Sequence, residues 1–337
     1  MKSRGTGYSI HVLRSLMLVI PLFGLLACGT SSTSTETSPS PINGGTENWQ
    51  LVWSDEFDGN AIDTRKWSLE INCWGGGNNE QQCYTDRASN AFLRDGLLHI
   101  VARKESYTGP SENEDSPDYL SSPLRTLPYT SARLRTKHKG DWKFGRFEIR
   151  AKLPFGQGTW PAIWMLPTDN IYGNWAASGE IDIMEAVNLK TQTDAAGTPT
   201  GKREARVHGT LHYGKAWPGN VYKGFPYELP NGQNPADDFH VYALEWHDGV
   251  MHWYVDGIKY ATQTSSTWYT QYPDQNGTLI TGAGSAPFDQ RFHLLLNLAV
   301  GGNWAGNVNQ GGVDDTVFPQ SFLIDYARVY QKHPPAR

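Results

Sequence analysis

The stretch FGRFEIRAKL, residues 144–153, alternates without a break. Phe147, Ile149, Ala151 and Leu153 fall on one side, and Arg146, Glu148, Arg150 and Lys152 on the other. A period of two belongs to an extended strand with one wet face, as antiparallel sheets have. The pattern continues along the chain. HVYALEWH (240–247) and MHWYVDGIKYATQ (251–263) read as strands, the second folded back at Asp256-Gly257, a hairpin pair. RFHLLLNLAV (291–300) is apolar on both faces, as a central strand is, and FLIDYARVYQ (322–331) closes the run. No long segment carries a helical period. Sheets must bury one face on another layer, so the chain predicts a single all-β sandwich beginning near Trp49 and ending near residue 333. The segment 106–123, SYTGPSENEDSPDYLSSP, is polar and broken by prolines, and predicts a long surface loop.

Ahead of the sandwich lies an address. Residues 1–14 carry Lys2, Arg4 and Arg14 and no acid, and residues 15–27 are an apolar run short for a bilayer. The run ends in LLAC, which resembles a bacterial lipobox. That implies a lipoprotein signal peptide over 1–27 and a lipid anchor on Cys28; an ordinary secretory signal is the competing reading. Gly29 follows Cys28, so no inner-membrane retention signal is evident. Residues 28–48, rich in Ser, Thr and Pro, read as a tether. The expected location is the cell envelope, at the outer membrane or surface of a bacterium. Export opens an oxidising compartment, where Cys73 and Cys83 either pair or stay free thiols. A net charge of -5 with no Lys/Arg block excludes a nucleic-acid partner. The 13 Trp and 16 Tyr serve two ends, a ring-filled core and stacking on the flat C–H faces of sugars.

GEIDIMEAVN, residues 179–188, sets Glu180, Asp182 and Glu185 among apolar neighbours. On a regular strand Glu180 and Asp182 share a face and Glu185 points the other way. Either that holds, or a β-bulge at Ile183 and Met184 turns Glu185 round to join them. Crowded carboxyls raise at least one pKa, giving a protonated acid beside an ionised one. Glycoside hydrolysis needs that pair, and a separation of about 5–5.5 Å gives retention of configuration. Three carboxylates could also hold Ca²⁺, but neither an EF-hand loop nor HExxH accompanies them.

GEIDIME resembles the signature of glycoside hydrolase family 16, E-[IL]-D-x-(x)-E, in its longer, bulged form. LVWSDEFDG, GNNEQQCYT, YTSARLRT, GRFEIRAKLPFGQGTWPAIWMLP, VHGTLHYG, LLNLAVGGNWAG and FPQSFLIDYARVYQ extend the resemblance over 49–331. The resemblance implies a concanavalin-like jelly-roll of two curved antiparallel sheets with a concave cleft. It also implies Glu180 as nucleophile, Glu185 as acid/base, Asp182 as the orienting acid and Met184 as the added residue. Trp164, Trp175, Trp304, Arg133, His212 and Asn79 match substrate-cleft positions, with His212 expected close to the acid/base. Trp160 shares a strand face with Trp164 and is open between cleft and core; His208 reads as a structural histidine. No catalytic cofactor is implied. A structural Ca²⁺ is, at Glu56, Gly96 and Asp325.

These residues predict a monomeric, laminarinase-like endo-β-1,3-glucanase, its partner a β-glucan polysaccharide or oligosaccharide. Agarose, κ-carrageenan, porphyran or mixed-linkage β-glucan are alternative substrates, transglycosylation an alternative reaction, and a surface glycan-binding protein an alternative class. The intact acid triplet argues against the last.

Overall fold

The computed structural model describes residues 48–193 and 201–332. The signal peptide 1–27, Cys28 and the tether to residue 47 lie outside the described residues. No helix among the described residues is long and apolar enough to cross a membrane.

Two large sheets carry the chain. The first runs, in spatial order, Ile258–Thr264, Val250–Val255, His240–His247, Gly145–Lys152, Gln320–Lys332, Leu97–Pro110, Leu124–Ser131 and Gln82–Tyr84. The second runs Asn220–Glu228, Arg206–Gly214, Glu180–Glu185, Thr159–Pro167, Phe292–Val300, Arg133–Arg135 and Ser68–Leu69. Pairing is antiparallel throughout both, except where Gln82–Tyr84 meets Leu124–Ser131 in parallel.

The alternating strand behaves as its pattern demands. Phe147, Ile149 and Ala151 are buried while their neighbours are half-buried. Asp256 and Gly257 both take positive φ, 48° and 77°, the backbone a tight hairpin turn needs. All nine residues of Phe292–Val300 are buried. One of its faces sends Leu294, Leu296 and Leu298 into the core, which they share with Phe147, Ile149, Leu244 and Trp246 of the other sheet. Each such aliphatic side chain contributes roughly 1.5–3 kcal/mol by leaving water.

One expectation needs correction. The segment 106–123 is not loop throughout: residues to Pro110 continue the Leu97–Pro110 strand, with Gly109 opposite Arg125. The polar residues there sit on a strand exposed on alternate positions, which polarity alone does not distinguish from a loop. Beyond it the chain is pinned by Glu114, whose carboxylate accepts from the Ile71 N–H and the Asn72 amide.

Cys73 and Cys83 are joined in a buried disulfide. It closes a loop in which Gly75, Gly76 and Gly77 all have positive φ. A Cβ on Gly76 would lie 2.0 Å from the Glu80 carboxylate, so the loop folds over that buried acid only because glycine stands there. The loop then clasps the turn before Trp304: Asn303 donates its N–H to the Asn78 carbonyl at 2.7 Å, and the Asn79 amide donates to Asn303 Oδ1 at 2.9 Å.

Candidate active site

The bulge is present. Against Thr159–Pro167, Asp182 faces Trp164, Met184 faces Ile163 and Glu185 faces Ala162, so Ile183 is skipped. Against Arg206–Gly214, Asp182 faces Thr210 and Glu185 faces His208, leaving Ile183 and Met184 together opposite Gly209. The bulge thus lies at Ile183 and Met184 as expected, although against Thr159–Pro167 the unpaired residue is Ile183 and not Met184, which the resemblance gave as the added one. Both are 1% exposed and join the core. Two consecutive apolar side chains reach the same core only if the strand is irregular between them, so their burial stabilises the irregularity.

Trp253, from the opposite sheet, completes it. Its indole N–H donates to the Asp182 carbonyl at 2.8 Å. Gly209 leaves room for that ring. A Cβ at 209 would lie 2.3 Å from Trp253 Cδ1 and 2.5 Å from the Tyr260 hydroxyl. Gly209→Ala is expected to push Trp253 off the bulge, costing about 1–3 kcal/mol of stability and lowering kcat. Urea denaturation and kcat checks this; wild-type kcat in that variant would break the link between Gly209 and the acids.

With the bulge in place, three acids and one histidine meet. His212 Nε2 lies 3.7 Å from Glu180 Oε1 and 3.4 Å from Asp182 Oδ2. The structure thus sets His212 directly on Glu180 and Asp182, with cross-strand register pairing it with Glu180, while its charge also acts on Glu185. The Trp175 indole N–H donates to Glu180 Oε2 at 2.7 Å, and the Trp160 indole N–H donates to Glu185 Oε1 at 2.9 Å. Each glutamate has its own tryptophan donor. The sequence left Trp160 between cleft and core; its shared strand face with Trp164 was the signal that could have placed it.

The electrostatics separate the two glutamates. Burial, then the Asp182 charge, push Glu180 up to about 7, opposed by the His212 charge, the Trp175 N–H and Arg133. Burial, then Asp182, also raise Glu185 well above the ordinary carboxyl value, opposed by His212 and the Trp160 N–H. Glu180 holds the closer cation, so the shared proton rests on Glu185 and the charge on Glu180. Burial pushes His212 down, but the charges of Glu180, Asp182 and Glu185 and the hydrogen bond to Asp182 carry it up to about 10.

Glu180, Asp182 and His212 have donor atoms within 4.8 Å of one another, a spacing that a metal could use. A metal there would have to displace the His212 proton that the three carboxylates hold in place. The cluster is better described as a buried ion group that orients Glu180.

Activity on this arrangement needs Glu180 ionised and Glu185 protonated. With Glu180 raised to about 7, kcat/KM is expected to fall once the pH drops below neutrality. With Glu185 also raised, the rate is expected to persist on the alkaline side until that proton leaves. A kcat/KM–pH profile tests both limbs; an acid limb at the ordinary carboxyl value of 4.5 would contradict the first.

The remaining expected cleft residues ring this centre. Trp164 faces Asp182 and donates its indole N–H to Asn297 Oδ1 at 2.6 Å. Arg133 is buried, its guanidinium 4.6 Å from the Tyr84 ring centre and 5.1 Å from that of Trp164, and 3.4 Å from Glu70. It supports Trp164 from within. Trp304 meets Trp160 edge-on at 5.4 Å and His208 edge-on at 5.1 Å. Burial, then the Arg206 charge, lower His208 to about 4, so it is neutral. Asn79 reaches the site only through its clasp on Asn303.

A family model for glycosyl hydrolases family 16 matches residues 88–287. The chain belongs to glycosyl hydrolase family 16. Its relatives in this family include a β-glucanase from Rhodothermus marinus, 41% identical over 84% of this chain and 85% of that protein. A glucan endo-1,3-β-glucosidase A1 from Niallia circulans is 38% identical over 87% of this chain; the match spans 39% of the Niallia protein's length. Among solved structures, the laminarinase from Rhodothermus marinus superposes with a TM-score of 0.65 at 39% identity, covering 86% of this chain and all of that one. The laminarinase catalytic domain from Thermotoga maritima does so with a TM-score of 0.65 at 37% identity, with the same coverage. The family 16 fold is a jelly-roll sandwich, and the two sheets described above are its layers.

Strand register puts the residues expected to hold a family calcium on or beside neighbouring strands. Ile324 faces Leu98 and Ala327 faces Asp55, which brings Gly96 and Glu56 toward Asp325, a residue skipped in the pairing with Gly145–Lys152. The carboxylates themselves are engaged: Arg328 donates to both oxygens of Glu56, and Arg150 lies 2.5 Å from Asp325. As placed, the Glu56 and Asp325 side chains, each paired with an arginine, do not fit a cation.

Proposed function

We propose that the chain is a retaining endo-β-1,3-glucanase acting on laminarin-type glucan. The observation that carries this is the bulged strand, which puts Glu180 and Glu185 on one face, each held by its own indole N–H. In the first step Glu185 protonates the glycosidic oxygen while Glu180 attacks the anomeric carbon. Trp175 engages Oε2, leaving Oε1 the freer oxygen for attack. In the second step Glu185 takes a proton from water, whose oxygen replaces Glu180 at that carbon. Asp182 and His212 keep Glu180 oriented throughout. A binding module has no use for such a pair. The β-1,3 linkage is supported by the names of the Niallia and Rhodothermus relatives. A product profile on laminarin, lichenan, agarose and carrageenan tests it: short β-1,3 oligomers from laminarin are expected, and release from agarose or carrageenan instead would overturn it.

The address belongs to the same proposal. Cys28 is read as the lipidated residue that holds the enzyme at the cell envelope, and loss of palmitate labelling in Cys28→Ala tests it. A structural calcium at Glu56, Gly96 and Asp325 would require Arg328 and Arg150 to release the two carboxylates. It predicts a thermal midpoint lowered by EDTA and restored by calcium; an unmoved midpoint rejects it.

A further inference from the structure

The two flanks of the acid strand are built differently. Toward Thr159–Pro167 the polar groups are wired together: Trp164 to Asn297, Asn297 to the Tyr84 hydroxyl at 3.1 Å, and Arg133 between two rings. On the opposite flank the sheet ends in Arg206–Gly214 and the edge strand Asn220–Glu228, where rings stand bare. Tyr222 is 71% exposed and Trp217 is 74% exposed. Register puts Glu180, His212 and Tyr222 in one cross-strand row, so Tyr222 shares the face of the acids. Its ring centre lies 5.6 Å from that of His212, which lies 5.6 Å from that of Trp175. Trp217, in the turn joining the two strands, donates its backbone N–H to the Trp175 carbonyl at 2.9 Å, which ties that turn to the Trp175 backbone. Two residues beyond Tyr222, Gly224 faces Thr210, and a Cβ there would lie 2.6 Å from the Thr210 hydroxyl, so the floor beside the rings is flat.

We propose that Tyr222 and Trp217 form an acceptor-side subsite, a platform for the β-glucosyl units on the leaving-group side of the cleaved bond. This rests on the glucanase reading above. Glu180 and Glu185 are offset along their strand, so a glycan passing between them crosses the strands. One flank must hold the sugar that becomes bound to Glu180, and hold it still. The wired Trp164–Asn297–Tyr84 flank does that. The other must seat the departing chain, release it, and admit a new hydroxyl. Flat rings open to solvent suit this, because they grip a sugar's C–H face without fixing its hydroxyls. Once the ester on Glu180 has formed, a glucan hydroxyl seated on the platform can take the place of water. Its oxygen bonds to the anomeric carbon, the ester C–O bond breaks with its electrons returning to Glu180, and its proton passes to Glu185.

The test uses the single variants Tyr222→Ala and Trp217→Ala, with laminarin oligosaccharide as donor and laminaritriose as added acceptor. Each variant is expected to lower the ratio of transfer to hydrolysis about tenfold, the size of one strong contact residue. Tyr222→Phe and Trp217→Phe, which keep a flat ring, are expected to retain the ratio and control for folding. An unchanged ratio in both alanine variants, or a wild-type chain that transfers nothing at any acceptor concentration, overturns the platform while leaving the hydrolase reading intact. A wild-type chain that cleaves no laminarin overturns both.

Discussion

Glu180→Ser is expected to abolish cleavage of laminarin while retaining oligosaccharide binding. Serine is too short to reach the anomeric carbon and is no carboxylate, so the loss should be at least roughly 10⁴-fold, as for other lost nucleophiles. Binding should change little, because Trp164, Trp175 and Trp304 are untouched. Trp175 loses its acceptor on Glu180, but its ring stays against His212. Stopped assays for rate and calorimetry for affinity make the comparison. Substantial activity in the variant would remove Glu180 from the nucleophile's place.

The second large effect belongs to Glu185. Glu185→Gln keeps the shape and an oxygen for the Trp160 N–H to reach, and removes the proton that moves. Cleavage of laminarin is expected to slow by about 10²–10⁴-fold. An aryl β-glucoside of good leaving ability should suffer much less in its first step, since its leaving group needs no acid. The alkaline limb of the pH profile should vanish with the group that titrates there. An equal loss on both substrates would argue that Glu185 only supports the site.

The sandwich was legible because its strands are local patterns. Residues 144–153 state which face is wet, and residues 291–300 that neither is, within ten letters, and burial follows them. The bulge was legible only by resemblance. EIDIME fits a regular strand with one stray acid as well as it fits an irregular one. What decides between them is non-local: Gly209 makes the room, and Trp253, from the other sheet, takes the freed space and donates to Asp182. No spacing rule inside residues 179–188 contains either residue. Trp160 and His212 show the same division. Their strand faces could be counted, but which glutamate each one meets depends on register across the bulge. Tyr222 lies in a strand with no apolar alternation to mark it, and its place beside the acids emerges only when that strand pairs with Arg206–Gly214.

The central claim is that one irregular strand turns Glu185 back to work with Glu180 as acid/base and nucleophile. Its direct consequence is stereochemical, because two displacements at one carbon restore the starting configuration. Proton NMR of laminarin digestion, read before mutarotation sets in, measures it. The β-anomer of the new reducing end is predicted to appear first. An initial α-anomer would mean a single displacement by water, and would contradict the account.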